Sequence, residues 1–420
     1  MTEIVQTPNQ RISGMTGRVR HTFDKKHLDQ DVWTLACERM EVLFDRFDHI
    51  AVSFSGGKDS TSCLQVAREV GRAKNRLPIH VVFFDEEAIP VQTADYVRRC
   101  AQSEDIVLDW YCLPQQHRNA CARKSPYWWP WDPDCPELWV RDAPPEGIFH
   151  APWFPMQPPM ARLGAPDCSI PMFRYDGCEW KSATVGLVLG IRAQESLNRL
   201  RMVTAKPIDN YMTHLHGGVW KVYPIFDWTT EDVWTAPRKF GWDYNHAYDV
   251  MDKAGVTPHN QRCSPAFGEE PLEKLWTYAV CFPEIWDKMT KRVPGAATAG
   301  RYARTQLYAY GGLPKKPADA SWEDFILSFL WRFDDKERRM VKARVLGFIT
   351  RHAQLTADPI VDNVPHPLTG ISWHFLLMIA MRGDFKGRKQ PGGKVHAGNV
   401  DAVRRNYAQR VAQLRLAGEL

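Results

Sequence analysis

Val52-Ser53-Phe54-Ser55-Gly56-Gly57-Lys58-Asp59-Ser60-Thr61 is the stretch whose reading decides the fold. The apolar run Ile50-Ala51-Val52 leads into it and reads as a buried strand. Leu64, Val66, Ala67 and Val70 follow at the spacing of one helix face. Strand, glycine-rich turn and helix make the layout that holds phosphate, because turn amides and the helix dipole both point at an anion. Gly56 and Gly57 let the backbone approach closely, Ser53, Ser55, Ser60 and Thr61 add hydroxyls, and Lys58 adds charge. Asp59 reads either as a helix cap or as a holder of Mg²⁺ through water.

The spacing is not that of the ATP loop of motor proteins and GTPases, which needs Gly, four residues, then Gly-Lys-Ser/Thr. Ser55-Gly56-Gly57-Lys58-Asp59-Ser60 instead resembles the pyrophosphate loop (PP-loop) of the ATP pyrophosphatase superfamily. That group includes phosphoadenylyl-sulfate (PAPS) reductases, a type of ATP sulfurylase subunit, and nucleic-acid thiolation enzymes.

At 420 residues, the chain is long enough for two domains. Hydrophobic residues make up 44% and charged residues 25%, as in soluble globular proteins, and no apolar run is long enough to span a membrane. Met1 to Arg20 is polar and lacks an apolar signal core, so a cytoplasmic location is expected. Ten cysteines in such a chain argue for thiols over disulfides, with Cys37, Cys63 and Cys100 set in apolar helical patterns. A net charge of +5 is compatible with a nucleotide or nucleic-acid partner without requiring either.

Residues 1–27 read as a polar arm. Residues 28–268 alternate strand and helix, which implies a doubly wound parallel α/β sheet. Strands are expected near 49–54, 79–84, 106–112, 184–191 and 221–225, and a helix over 29–47. Asp85-Glu86-Glu87 closes the second strand, where open α/β sheets bind ligands. Asp85 therefore reads as a nucleotide or metal contact, or the three acids simply cap the helix from Val91. Residues 113–180 interrupt the rhythm with a Trp/Pro-rich insertion, whose aromatics read as a small local core ahead of a base-stacking surface. Cys112, Cys121, Cys135, Cys168 and Cys178 lie in or beside it, with no Cys-x-x-Cys pair, and no metal ligands are assigned. Gly190-Ile191-Arg192 places a guanidinium at a strand end, where Arg192, and after it Arg199, can meet phosphate; the alternative is a surface pair of Glu195 with Arg199 at helical spacing. Residues 269–420 read as a mainly helical domain, and its basic run Lys336 to Arg344, with Arg382, Lys386, Arg388, Lys389 and Lys394, is either a solvated face or a nucleic-acid contact.

Leu189-Gly190-Ile191-Arg192, Tyr223-Pro224-Ile225-Phe226-Asp227-Trp228 with Glu231-Asp232-Val233-Trp234, and Tyr244-Asn245 with Tyr248-Asp249 resemble, in order and spacing, motifs of the PAPS reductase family. Residues 261 to 312 resemble a phage- and plasmid-associated branch of it, with a distinctive C-terminal region and members described as co-regulators beside a ParB-like partner. The resemblance implies an adenine nucleotide alpha-hydrolase-like fold that binds ATP, or PAPS, with Mg²⁺. Ser55, Gly56, Gly57, Asp59 and Ser60 would hold the phosphates, Asp85 would lie near the nucleotide, and Arg192 would face the phosphate or activated group. It implies a PP-loop enzyme that adenylates an acceptor, a sulfonucleotide reductase or sulfotransferase, or a nucleotide-sensing co-regulator. PAPS reductases end in a mobile Glu-Cys-Gly segment; here the C-terminus is Leu414-Arg415-Leu416-Ala417-Gly418-Glu419-Leu420, and no cysteine follows Cys281.

Overall fold

The computed structural model describes residues 28–420 except 123, 155–170, 205–208, 264, 269–271, 304–313, 385–390 and 392–399. Before residue 28 it describes only Ile12–Ser13 paired with Val19–Arg20. The expectations for the rest of the arm, Cys168, Lys386, Arg388, Lys389 and Lys394 lie outside the described residues. The chain forms two compact units, one of Asp29–Ile191 and Tyr211–Ala303, the other of Met1–Leu28, Arg192–Asn210 and Arg304–Leu420.

The first unit is built on a six-stranded sheet. Its strands are β1 (His49–Phe54), β2 (Ile79–Phe84), β3 (Ile106–Tyr111), β4 (Val185–Val188), β5 (Met212–His216) and β6 (Val219–Val222). The spatial order is β3-β2-β1-β4-β6-β5. All neighbours are parallel except β5, which pairs antiparallel with β6 at the edge. β1 is the pivot: the chain winds outward through β2 and β3 on one side and returns to β4 on the other. Ala51 pairs with both His80 and Leu187, which sets the register across it. The fold is thus the expected doubly wound α/β class, with the reversal point between β1 and β4.

Helices cover the sheet because their apolar residues recur at helical spacing. α1 (Val32–Arg46) starts at Asp31, whose carboxylate accepts the Thr34 amide at 2.8 Å, and it buries Ala36, Met40, Leu43 and Phe44. α2 (Lys58–Ala73) buries Cys63, Leu64, Val66, Ala67 and Val70. Each large apolar side chain so buried contributes about 1.5–3 kcal/mol; Leu64→Ala would remove one and leave a cavity. α3 (Val91–Ala101) starts at Pro90 with no side-chain cap, so the three acids after β2 do not cap it. β4 stops at Val188, shorter than expected, and β5 with its Gly217-Gly218 turn was not anticipated. Thr229 caps Thr230–Phe240 in a capping box with Asp232. The helices Trp276–Cys281, Pro283–Arg292 and Ala296–Tyr302 cluster with this unit.

The second unit contains the helices Leu197–Thr204, Trp322–Ser328, Asp335–Leu355, Trp373–Arg382 and Val400–Leu416. Ile326, Leu330, Val341, Val345, Phe348, Leu376 and Ile379 share one core. Ser321, Asp334 and Ser372 cap three of these helices by accepting the amides of Asp324, Glu337 and Phe375. Val361, Tyr407 and Leu414 form a smaller cluster that seats the last helix.

Candidate functional site

The loop after β1 sits at the carboxyl end of the sheet, at the reversal point. Gly56 has φ +66°, and a Cβ there would lie 3.0 Å from Thr93 Cγ2. Its carbonyl accepts Asn245 Nδ2 at 2.9 Å, and the same amide group donates to Thr93 Oγ1. Gly190, just past β4, packs directly on the start of α2; a Cβ there would lie 2.7 Å from the Asp59 carbonyl carbon and 2.8 Å from the Ser60 nitrogen. Glycine at 56 and 190 is therefore required by backbone conformation at one and by close approach at the other.

Several loop groups are turned inward. Ser60 Oγ accepts the Ser55 amide at 3.2 Å and donates to Gly57 O at 3.0 Å. Thr61 is buried, with its hydroxyl between Gly57 O and the Tyr96 hydroxyl, so it faces the core and not a ligand. Ser55 Oγ accepts the Gly57 amide at 3.3 Å, and the Tyr248 hydroxyl accepts the Lys58 amide at 3.0 Å. The amides of Gly56 and Ser60 have no partner among the described residues. Ser55 is exposed, and Ser53, Gly57, Lys58 and Asp59 are half-buried, so the loop is open to solvent on that side. Gly57, not Asp59, occupies the cap position of α2. Lys58 Nζ reaches Gln261 O at 3.3 Å and lies 5.4 Å from the Tyr248 ring centroid.

Asp85 corrects the sequence reading. Its carboxylate is buried and meets Arg141 Nη2 at 2.6 Å through both oxygens, and it accepts the Trp110 indole at 2.9 Å. Every direction around it is taken by the protein, so it organises the insertion and is not placed to meet a nucleotide. Glu87 does the same work. It accepts the amides of Trp131 and Val140 and pairs with Arg292 Nε at 3.0 Å. Glu87 and Trp131 both have φ in the left-handed region, +60° and +53°. Trp131, Trp139 and Phe149 pack edge-on and stacked, which is the expected local core. Glu86, between the two acids, has a buried Oε2 with no hydrogen-bond partner, and burial followed by the Asp85 charge pushes its carboxyl up to about 8.

Arg192 opens the second unit's 192–210 segment. Its guanidinium contacts Gln194 Oε1 at 3.1 Å, and its amide donates to Glu195. Arg199 pairs with Glu195, the surface pair that the spacing allowed. Cys263 is buried beside Asn245 Nδ2 at 3.5 Å, and burial pushes its thiol up; burial likewise pushes Cys121 up to about 12. Among the described residues, no three His, Cys, Asp or Glu side chains stand together as a metal site. Asn245 and Tyr248 at the loop, and Arg141 and Arg292 at the acids after β2, carry structural roles that residue type alone did not reveal, though Asn245 and Tyr248 lie in a motif the sequence does display.

Over 344 residues the chain is 31% identical to the uncharacterized protein YbdN of Escherichia coli strain K12, covering 77% of this chain and 80% of that one. The chain belongs to the YbdN family. Residues 255–347 also match a domain of unknown function, DUF3440. Among solved structures, the FMN adenylyltransferase of Candida glabrata, in complex with FMN and an ATP analogue, aligns at a TM-score of 0.30 and 11% identity over 54% of this chain. The same enzyme in complex with ATP aligns at 0.30 and 9% identity. The matched part spans 63% and 62% of those chains, and the likeness is too slight to assign this YbdN-family protein an activity. No helix among its described residues is long and apolar enough to cross a membrane.

Proposed function

We propose that this chain binds ATP at the carboxyl end of β1 and activates an acceptor by adenylation. The observation that carries this reading is the glycine pair at the reversal point: Gly56 in a left-handed turn and Gly190 in backbone contact with Asp59 and Ser60. Together they leave the unpartnered amides of Gly56 and Ser60 at a helix N-terminus, the arrangement that favours phosphate oxygens. The β- and γ-phosphates would lie on this loop with Ser55, Gly57 and Lys58 around them, and Ser53 at the strand end below. Asp59 would hold Mg²⁺ through water, since Asp85 is committed to Arg141; the ion would supply positive charge against the phosphates.

An acceptor oxygen forms a bond to the α-phosphorus, the bond from that phosphorus to the bridging oxygen breaks, pyrophosphate leaves, and the acceptor's proton passes to water. The protein's part is positioning and charge stabilisation by loop amides and Lys58. Arg192, two residues along the chain from Gly190, is assigned on sequence grounds as a further cation for the developing charge. The acceptor class proposed is nucleic acid, in a modification or phage-related pathway.

The test is incubation with α-labelled ATP and candidate acceptors. AMP transfer and pyrophosphate release above a Gly57→Asp control are expected; equal signal from that control removes the proposal.

A second reading, a nucleotide-sensing co-regulator that acts with a ParB-like protein, is favoured by one feature. Ser55, Ser60 and Tyr248 hydroxyls already satisfy three loop amides, which leaves fewer donors to stabilise charge developing in a reaction. Stable ATP binding with no product under the same assay selects it. A sulfonucleotide reductase is disfavoured by Cys263, whose buried thiol is costly to ionise.

A further inference from the structure

The helix Asp335–Leu355 in the second unit carries six Lys/Arg against two acids. Burial of Val341, Val345, Phe348 and His352 fixes which side faces the core. Lys336, Arg339, Lys342 and Arg351 are all exposed, and none has a hydrogen-bond or ion-pair partner among the described residues. The two acids sit at the first turn, where Asp335 pairs with Arg338. From Lys336 to Arg351 the helix rises about 22 Å, and these cations spread over its solvent side with no acid of the helix beyond the first turn.

Two further features point to a ligand. Trp331 is 77% exposed, the most exposed indole among the described residues, and Met340 is also exposed. The turn that carries Trp331 is held against the helix start by Arg338, which donates to the carbonyls of Leu330 and Phe333. Arg201 Nη2 is buried and has no hydrogen-bond partner. Burial, then the charge of Arg351, pushes the Arg201 guanidinium down to about 10. A buried guanidinium that also feels the charge of Arg351 is a charge that an anion would neutralise.

We infer that this helix face is a docking surface for single-stranded nucleic acid: Lys336, Arg339 and Arg351 take backbone phosphates, Arg201 backs Arg351 at one of them, and the Trp331 indole stacks on a base. A mostly cationic face without base-reading geometry fits sequence-tolerant binding, and an exposed ring on the turn that Arg338 holds favours unpaired bases over duplex. The surface does not depend on ATP. It deepens the acceptor assignment above, yet stands or falls separately from it.

The test is fluorescence anisotropy on the full chain with a fluorescein-labelled thymidine strand of about 20 nucleotides, long enough for one binding site, over a salt series. The wild type should bind, and the triple variant Lys336→Glu, Arg339→Glu, Arg351→Glu should bind at least about tenfold more weakly. The log–log salt slope should fall by about 2, for three lost contacts on a single strand. Trp331→Ala, which removes no charge, should weaken binding about fivefold or more with the slope unchanged. Circular dichroism melts confirm that each variant is folded. Absent wild-type binding, variants that bind like wild type, or preference for duplex DNA or phosphatidylserine vesicles over the single strand would each overturn the inference. The Gly57→Asp chain should bind the strand normally, so failure of the adenylation reading and failure of this one are told apart.

Discussion

Asp85 holds Arg141 through both carboxylate oxygens inside a dry setting, and this single residue shows how type and position can mislead. An acid at the end of a parallel strand reads as a ligand contact; here the insertion supplies an arginine that takes it over. Asp85→Asn leaves the Arg141 charge buried without its partner, so it should cost about 3–5 kcal/mol in urea unfolding. A variant that keeps wild-type stability but loses ATP binding would restore the ligand role. Glu86 gives a pH prediction. Its folded-state carboxyl is raised to about 8 from an ordinary value of 4.5, so the native state holds a proton that the unfolded state releases. Stability from this group is full below about 4.5 and is lost as pH rises toward 8. The melting temperature should therefore fall across that window, and Glu86→Gln should flatten the fall; an unchanged profile in the variant would assign the dependence elsewhere.

At the scale of elements, the strand–loop–helix of residues 49–73 was legible because apolar runs, paired glycines and helical spacing all agree there. The close approach of Gly190 to α2 was not, since it joins two segments about 130 residues apart that only the sheet brings together. Gly190→Ala places a methyl 2.7–2.9 Å from backbone atoms of Asp59 and Ser60, which must shift. The expected result is a stability loss of about 1–3 kcal/mol with ATP affinity down more than about tenfold, measured by calorimetry. Undiminished affinity would mean that the start of α2 does not carry the nucleotide. The β5–β6 hairpin escaped the sequence reading because Met212–His216 has neither a long apolar run nor strict alternation.

Across the whole molecule, two buried ion pairs, Asp85–Arg141 and Glu87–Arg292, tie the insertion and the helix Pro283–Arg292 to the end of β2. The loop, its glycines and the sheet class could be read from the chain; these ties could not, because each joins residues 56 and 205 positions apart whose types alone suggest surface charge. Arg292→Met should destabilise the unit that holds the sheet by about 3–5 kcal/mol, read as a lower urea midpoint by fluorescence and far-ultraviolet circular dichroism. An unchanged unfolding midpoint would show that the Glu87–Arg292 pair does not hold the insertion to the sheet.

The central claim is that the bend between β1 and α2 grips a nucleotide's phosphates. A crystal structure with a non-hydrolysable ATP analogue tests it most directly. The account predicts phosphate oxygens within about 3.2 Å of the Gly56 and Ser60 amides, with adenine in the crevice between β1 and β4. An analogue bound elsewhere, with the bend and its hydroxyl contacts unchanged, would contradict it.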